Sequence, residues 1–101
     1  MDLDQVLNVL KAHEQELRGV GVRSASLFGS VARGESPTHD MDVVVRLSET
    51  LSEPGLDYIG RLDDLEHRLS EILGCKVDVV EEPVRKERFQ REIDRDRVLA
   101  F

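Results

Sequence analysis

The sequence predicts a small α/β (α+β) domain in which a mixed β-sheet of about three strands is flanked by helices. Helical and strand-like segments alternate along the chain in the order α-β-α-β-α-β-α, in which the second α is a single helical turn at residues 30–33. The link between the first two strands is only about a dozen residues long, so these two strands are expected to be antiparallel. A chain of 101 residues suffices for one hydrophobic core, and residues 1–101 are therefore expected to form a single domain.

Three segments have the periodicity of helices. Apolar residues recur at helical spacing over residues 3–17, and again in a clean stripe over residues 58–73 that ends at Gly74. After Pro83 a highly charged segment predicts a last helix. The apolar tail at 98–101 is expected to pack on the sheet.

Three segments are predicted to be strands, over residues 22–28, 40–47 and 76–80. They are short and bounded by glycine or other turn residues, and the second is rich in β-branched residues. Side chains alternate between the two faces of a strand. Strict alternation puts one set of first-strand side chains on one face: Val22, Ser24, Ser26 and Phe28.

Composition limits the classes of function. The formal net charge is −7 and the isoelectric point is near 4.9, so direct nucleic-acid binding is not expected, because such binding depends on Lys and Arg neutralising phosphates. Cys75 is the only cysteine, which excludes an intrachain disulfide and favours a reducing, cytoplasmic location. No apolar run approaches the ~20 residues of a membrane span, so no membrane contact is expected.

Three aspartates stand in otherwise apolar strands. Asp40 and Asp42 begin the second predicted strand on one face, about 6.5–7 Å apart along the chain, and Asp78 interrupts the third. Converging carboxylates repel one another, and a divalent cation such as Mg²⁺ commonly offsets this repulsion. The alternative is a solvated strand end without a metal.

A turn-rich segment precedes these aspartates. Gly29 ends the first predicted strand and lets the backbone approach a ligand closely, and a helical turn that begins at Ser30 could hold an anion. Arg33 and Gly34 follow at a spacing that could fold back over the same pocket. The alternative is a plain loop with a serine cap.

Together, Gly29-Ser30-x-x-Arg33-Gly34 and Asp40-x-Asp42 resemble the signature of the DNA polymerase beta-like nucleotidyltransferase superfamily, above all its minimal nucleotidyltransferases (MNT). The resemblance covers nearly the whole chain.

The resemblance implies that Asp40 and Asp42 hold two Mg²⁺ ions and that Asp78 ligates the catalytic ion and helps to deprotonate an acceptor hydroxyl. It also implies that Ser30 and the neighbouring backbone hold the triphosphate of an incoming nucleotide, expected to be ATP. One position departs from the family pattern, because His39 stands where a serine is usual before the first aspartate. His39 is either a surface residue without a role or a contact to phosphate.

The resemblance further implies a protein partner. The chain is too short to hold an acceptor-binding domain, and minimal nucleotidyltransferases resemble antitoxins paired with a HEPN-domain ribonuclease toxin. The expected activity is Mg²⁺-dependent transfer of AMP from ATP to a hydroxyl of that toxin, which neutralises it. Two alternatives stay open, a non-enzymatic antitoxin that acts by binding alone and a nucleotidyltransferase of the antibiotic-modifying type.

Overall fold

The computed structural model describes residues 2–29, 40–48 and 58–101. These residues form helices α1 (Leu3–Ala12), α2 (Glu14–Gly19), α3 (Tyr58–Leu73) and α4 (Glu87–Asp96) and strands β1 (Val22–Phe28), β2 (Asp40–Leu47), β3 (Lys76–Glu81) and β4 (Val98–Leu99). Within these described ranges, no helix has the length and apolar character needed to cross a membrane.

The strands form one mixed sheet in the order β3-β2-β1-β4. Strand β1 is antiparallel to both β2 and β4, whereas β2 and β3 are parallel. The mixed sheet and the antiparallel pairing of the first two strands confirm the prediction. The sheet has four strands where about three were expected, because the apolar tail does more than pack on the sheet. Its residues 98 and 99 hydrogen-bond to the outer edge of β1.

One face of the sheet packs against α1, α2 and α3 and forms the main core. The buried apolar side chains that meet there come from all three helices and from the sheet: Val6, Leu10, Leu17, Val22, Ala25, Leu27, Met41, Val43, Val45, Leu47, Leu65, Leu69, Leu73 and Val77. The predicted helical stripes supply the helix contribution, and alternate residues of β1 and β2 supply the sheet contribution.

The opposite face of the sheet is covered by α4. Val44 of β2 and Ile93 of α4 are both 0% exposed, and the Phe89 ring of α4 meets the Phe28 ring of β1 edge-on, with centroids 5.7 Å apart. The side chains of Asp42 and Asp78 belong to this face, because they alternate with core residues along β2 and β3. We call it the α4 face.

The N-terminal segment departs from the prediction in two places. The single predicted helix is two, because at His13 (φ −103°, ψ 12°) the backbone N–H is shared between the carbonyls of Val9 and Leu10 and the helix is interrupted for one residue. The face predicted for Val22 was also wrong. A register shift between Val22 and Ser24 turns Val22 into the main core, together with Ala25.

Candidate functional site

The structure brings two of the three predicted metal-binding aspartates together. Strand β3 lies directly beside β2, and Asp42 is in register with Asp78. In-register residues of adjacent strands, which lie about 4.7–4.9 Å apart, project to the same side of a sheet. Both aspartates are half-buried. The α4 face therefore presents two neighbouring carboxylates at the point where β2 and β3 begin.

Gly29 lies beside the carboxylate of Asp42, on the side of β1. Phe28, the residue before it, pairs with Asp42 across the antiparallel ladder. Gly29 has φ +81°, and a Cβ atom built on it would lie 2.7 Å from Oδ2 of Asp42. The backbone therefore turns here in a conformation that favours glycine, and it does so against the carboxylate. The expectation of a tight turn at Gly29 is confirmed, whereas its close approach to a ligand stays a prediction.

The other predicted site residues are described in part or not at all. Asp40 begins β2 and its backbone pairs with Lys76, but its side chain is outside the described part of the structure. The predicted nucleotide-binding residues Ser30, Arg33, Gly34 and His39 lie outside the described residues as well. The roles assigned to all of these residues, and to Asp42 and Asp78, stay predictions.

The carboxylate pair fits a hard divalent cation in donor type. Asp42 and Asp78 present carboxylate oxygens on adjacent strands, and Mg²⁺ is commonly held by one or two carboxylates with water and substrate phosphate completing its shell. Among the described side chains, which exclude that of Asp40, no group of three or more His, Cys, Asp or Glu residues is placed to hold a metal.

Sequence reasoning did not identify the aromatic contact beside the site. The Phe28 and Phe89 rings cross at 64°, so α4 packs directly against the last residue of β1, which precedes Gly29. The signal was present in the sequence, since Phe89 and Ile93 are the apolar residues of an otherwise charged helix and are spaced i,i+4. This contact holds the Phe28–Gly29 turn next to Asp42.

A buried ionic cluster lies farther along the α4 face and was also missed. Glu82 follows β3, and its side chain is 0% exposed. It accepts hydrogen bonds from Arg97 and from Nε2 of Gln90, and Nε of Arg46 lies 3.7 Å from its Oε1. We call these four residues the Glu82 cluster. It ties the end of β3 to both ends of α4.

The neighbouring charges and hydrogen bonds determine the protonation state of the Glu82 carboxyl group. Burial acts to raise the pKa of Glu82, but the hydrogen bonds from Arg97 and Gln90 and the positive charges of Arg97 and Arg46 outweigh it, so the pKa lies below its ordinary value. The hydrogen bond to Glu82 correspondingly raises the pKa of Arg97. Glu82 and Arg97 are therefore both ionised at neutral pH.

Comparison with known proteins places the chain in a family. The family described as Nucleotidyltransferase domain matches residues 3–99. A candidate protein adenylyltransferase from Methanocaldococcus jannaschii is 38% identical over 80 residues, 77% of this chain and 86% of the relative. The protein adenylyltransferase MntA from Thermococcus cleftensis is 38% identical over 82 residues, 79% of this chain and 77% of the relative.

Solved structures agree with this assignment. A candidate minimal nucleotidyltransferase superimposes with a TM-score of 0.76 at 27% identity, covering 97% of this chain and 95% of the other. A complex of an MNT antitoxin with the tri-AMPylated HEPN toxin of Shewanella oneidensis gives a TM-score of 0.63 at 18% identity, covering 94% of this chain and 71% of the other. This likeness shows the fold alone. The chain thus belongs to the nucleotidyltransferase domain family, as the glycine turn and the paired aspartates indicated.

Proposed function

We propose that this protein transfers AMP from ATP to a hydroxyl group of a partner protein, in a reaction that requires Mg²⁺. The observation that carries the proposal is the register of Asp42 with Asp78, with the Gly29 backbone held against Asp42. Two carboxylates beside a tight glycine turn suit a triphosphate that arrives with its cation. The two relatives that bear the name protein adenylyltransferase support AMP as the transferred group.

The proposed residue roles follow from this placement. Asp42 and Asp78, with Asp40, would hold two Mg²⁺ ions, which when bound supply positive charge to the phosphate oxygens. The acceptor hydroxyl oxygen forms a bond to the α-phosphorus of ATP, the bond to the β-phosphate oxygen breaks, and pyrophosphate leaves. Asp78 helps to take the hydroxyl proton, which then passes to solvent. The main contribution of the chain is positioning, with Gly29, Ser30, Arg33, Gly34 and His39 assigned to the nucleotide.

The proposed acceptor is a HEPN-domain ribonuclease toxin, which AMP transfer would neutralise. The fold neighbour solved with a tri-AMPylated HEPN toxin supports this choice. The proposed location is the cytoplasm, where a lone cysteine such as Cys75 stays reduced.

The test is to purify the protein with the product of its neighbouring gene, add ATP and Mg²⁺, and measure the mass of that partner. We expect mass to increase in steps of one AMP. Asp42→Asn should abolish the increase, whereas Asp64→Asn, which removes the same charge from an exposed position of α3, should leave it unchanged.

Three outcomes would contradict the proposal. If the wild-type protein binds ATP but adds nothing to the partner, protein AMP transfer is refuted. If toxin neutralisation survives Asp42→Asn in full, the protein acts by binding alone. If a small aminoalcohol is labelled while no protein is, the enzyme is of the antibiotic-modifying type.

A further inference from the structure

Helix α4 presents a row of arginines to solvent. At about 100° per residue, Arg88, Arg91 and Arg95 fall within about 60° of the helix circumference, on the side opposite Phe89 and Ile93, which face the sheet. The side chains of Arg88 and Arg95 are 89% and 71% exposed, and Arg91 is exposed as well. A surface groove of about 400 Å³ runs between these three side chains and Glu92. We call Arg88, Arg91 and Arg95 the arginine ridge.

Two guanidinium groups of the arginine ridge, those of Arg88 and Arg91, are only weakly engaged by this chain. Nε of Arg88 lies 3.9 Å from Oε1 of Glu92 at the open surface, a geometry that contributes little. Arg95 is already engaged, because its Nε and one terminal nitrogen donate to both carboxylate oxygens of its neighbour Asp96. Arg91 makes no ion pair with any residue in the described ranges. Guanidinium groups bind carboxylates in a bidentate manner, so the ridge is prepared for an anionic ligand on a chain whose net charge is −7.

The arginine ridge begins next to the candidate active site. Arg88 directly precedes Phe89, whose ring contacts Phe28, and Phe28 is paired with Asp42. The first turn of α4 therefore borders the glycine turn beside the carboxylates. A segment of another protein that lies along the ridge would lead to the place where the acceptor hydroxyl must stand.

We propose that the arginine ridge is the docking surface for an acidic segment of the acceptor protein. This inference rests on the proposed function, because it assigns a substrate-recognition surface to the same reaction. An acidic protein segment suits the ridge better than a nucleic acid. A continuous phosphate backbone would be repelled by the strongly acidic remainder of the chain, whereas a few Asp or Glu side chains need only local complementarity. The ridge thus selects the acceptor by charge and directs its hydroxyl to the site.

The test compares two variants that lose the same charge. Arg88→Gln/Arg91→Gln removes two positive charges from the ridge, and Lys11→Gln/Arg23→Gln removes two from exposed positions of α1 and β1. With the neighbouring-gene product as acceptor at low salt, we expect the ridge variant to raise the KM for acceptor by roughly tenfold, with kcat and the KM for ATP unchanged. The control variant should behave as wild type. Added salt should raise the KM for acceptor of the wild-type protein more than that of the ridge variant.

The outcomes separate this inference from the proposed function. If the wild-type protein transfers AMP and the ridge variant keeps its KM for acceptor, the ridge inference is overturned and the function stands. If single-stranded RNA binds the wild type but not the ridge variant, while the KM for acceptor is unchanged, the ridge is a nucleic-acid surface. If the wild type transfers nothing but binds the acceptor, the function fails. The ridge inference then depends on whether acceptor affinity falls in the ridge variant alone.

Discussion

At the scale of single residues, Gly29 is the position that the site constrains most. Its φ of +81° and the approach of Asp42 to the place of a Cβ atom are two separate constraints. A second glycine allows the two constraints to be separated, because it shares the positive φ but not the close neighbour. Gly74 has a similar φ of +72°, but a Cβ atom there would have nothing within 4 Å.

We predict that Gly29→Ala and Gly74→Ala both lower the free energy of unfolding, each by about 1–2 kcal/mol from the left-handed backbone conformation. Gly29→Ala should lose a further ~1 kcal/mol or more, because its methyl group displaces the Asp42 carboxylate. Of the two variants, only Gly29→Ala should weaken ATP binding. Urea unfolding and titration with a fluorescent ATP analogue measure the two effects. Equal losses of stability and equal ATP affinities in the two variants would show that Asp42 does not constrain Gly29.

Binding of the cation at Asp42 is expected to stabilise the folded protein. A ligand that binds only the folded state stabilises it, by about 2.7 kcal/mol at one hundred times its Kd. We therefore predict that Mg²⁺ raises the Tm of the wild-type protein and that EDTA reverses the rise. The shift should vanish in Asp42→Asn and persist in Asp64→Asn, as measured by thermal unfolding. If Mg²⁺ raises the Tm of Asp42→Asn as much as that of the wild type, Asp42 does not bind the cation.

At the scale of elements, the Glu82 cluster determines how α4 is held on the sheet. Its carboxylate is buried, and Arg97 lies at the C-terminal end of α4, with a side chain that is 23% exposed. Removing one partner of a buried ion pair leaves an uncompensated charge, which is more destabilising than the loss of a surface pair. The cluster is thus a fixed anchor for α4 and, through Phe89, for the turn at Gly29.

The depressed pKa of Glu82 predicts how stability depends on pH. A carboxyl group whose pKa is lower in the folded than in the unfolded protein stabilises the fold above its ordinary pKa, 4.5 for Glu82. That contribution is lost as the pH falls from this value through the folded pKa. We predict that the free energy of unfolding decreases over this acidic window and that Glu82→Gln makes the decrease shallower. Chemical unfolding of both proteins between about pH 3 and 7 measures the free energy of unfolding at each pH. Parallel pH profiles for the two proteins would contradict the prediction.

Sequence patterns predicted the strands better than the joints between elements. Short runs between turn residues located β1, β2 and β3, and the carboxylates at Asp42 and Asp78 were expected to meet if β3 lay beside β2. The break at His13, the register shift after Val22 and the two-residue strand β4 were not predicted. Each of these involves one or two residues, whereas periodicity is defined only over longer windows. The partners of Glu82 were missed because they are separated along the chain and joined only by the fold.

At the scale of the whole molecule, the two faces of the sheet are covered unequally. Three helices pack on the main core, whereas α4 covers the opposite face through Phe89, Ile93 and the Glu82 cluster. Regions with fewer buried apolar contacts open at lower free energy than the core strands do. The layer that borders the candidate site is therefore expected to be the less stable one, and its stability depends on a few named contacts.

We predict that amides of α4 and β4 exchange with solvent faster than those of the central strands β1 and β2. Arg97→Met leaves Glu82 without its main partner and should destabilise this layer by about 3 kcal/mol, which corresponds to roughly a hundredfold faster exchange in α4 and β4. Arg95→Met removes an arginine that is 71% exposed and should change exchange little. Hydrogen–deuterium exchange with mass spectrometry resolves these segments. Equal acceleration across β1, β2 and α4 in Arg97→Met would mean that the domain opens only as one unit, and that the Glu82 cluster supports the whole fold rather than the layer that borders the site.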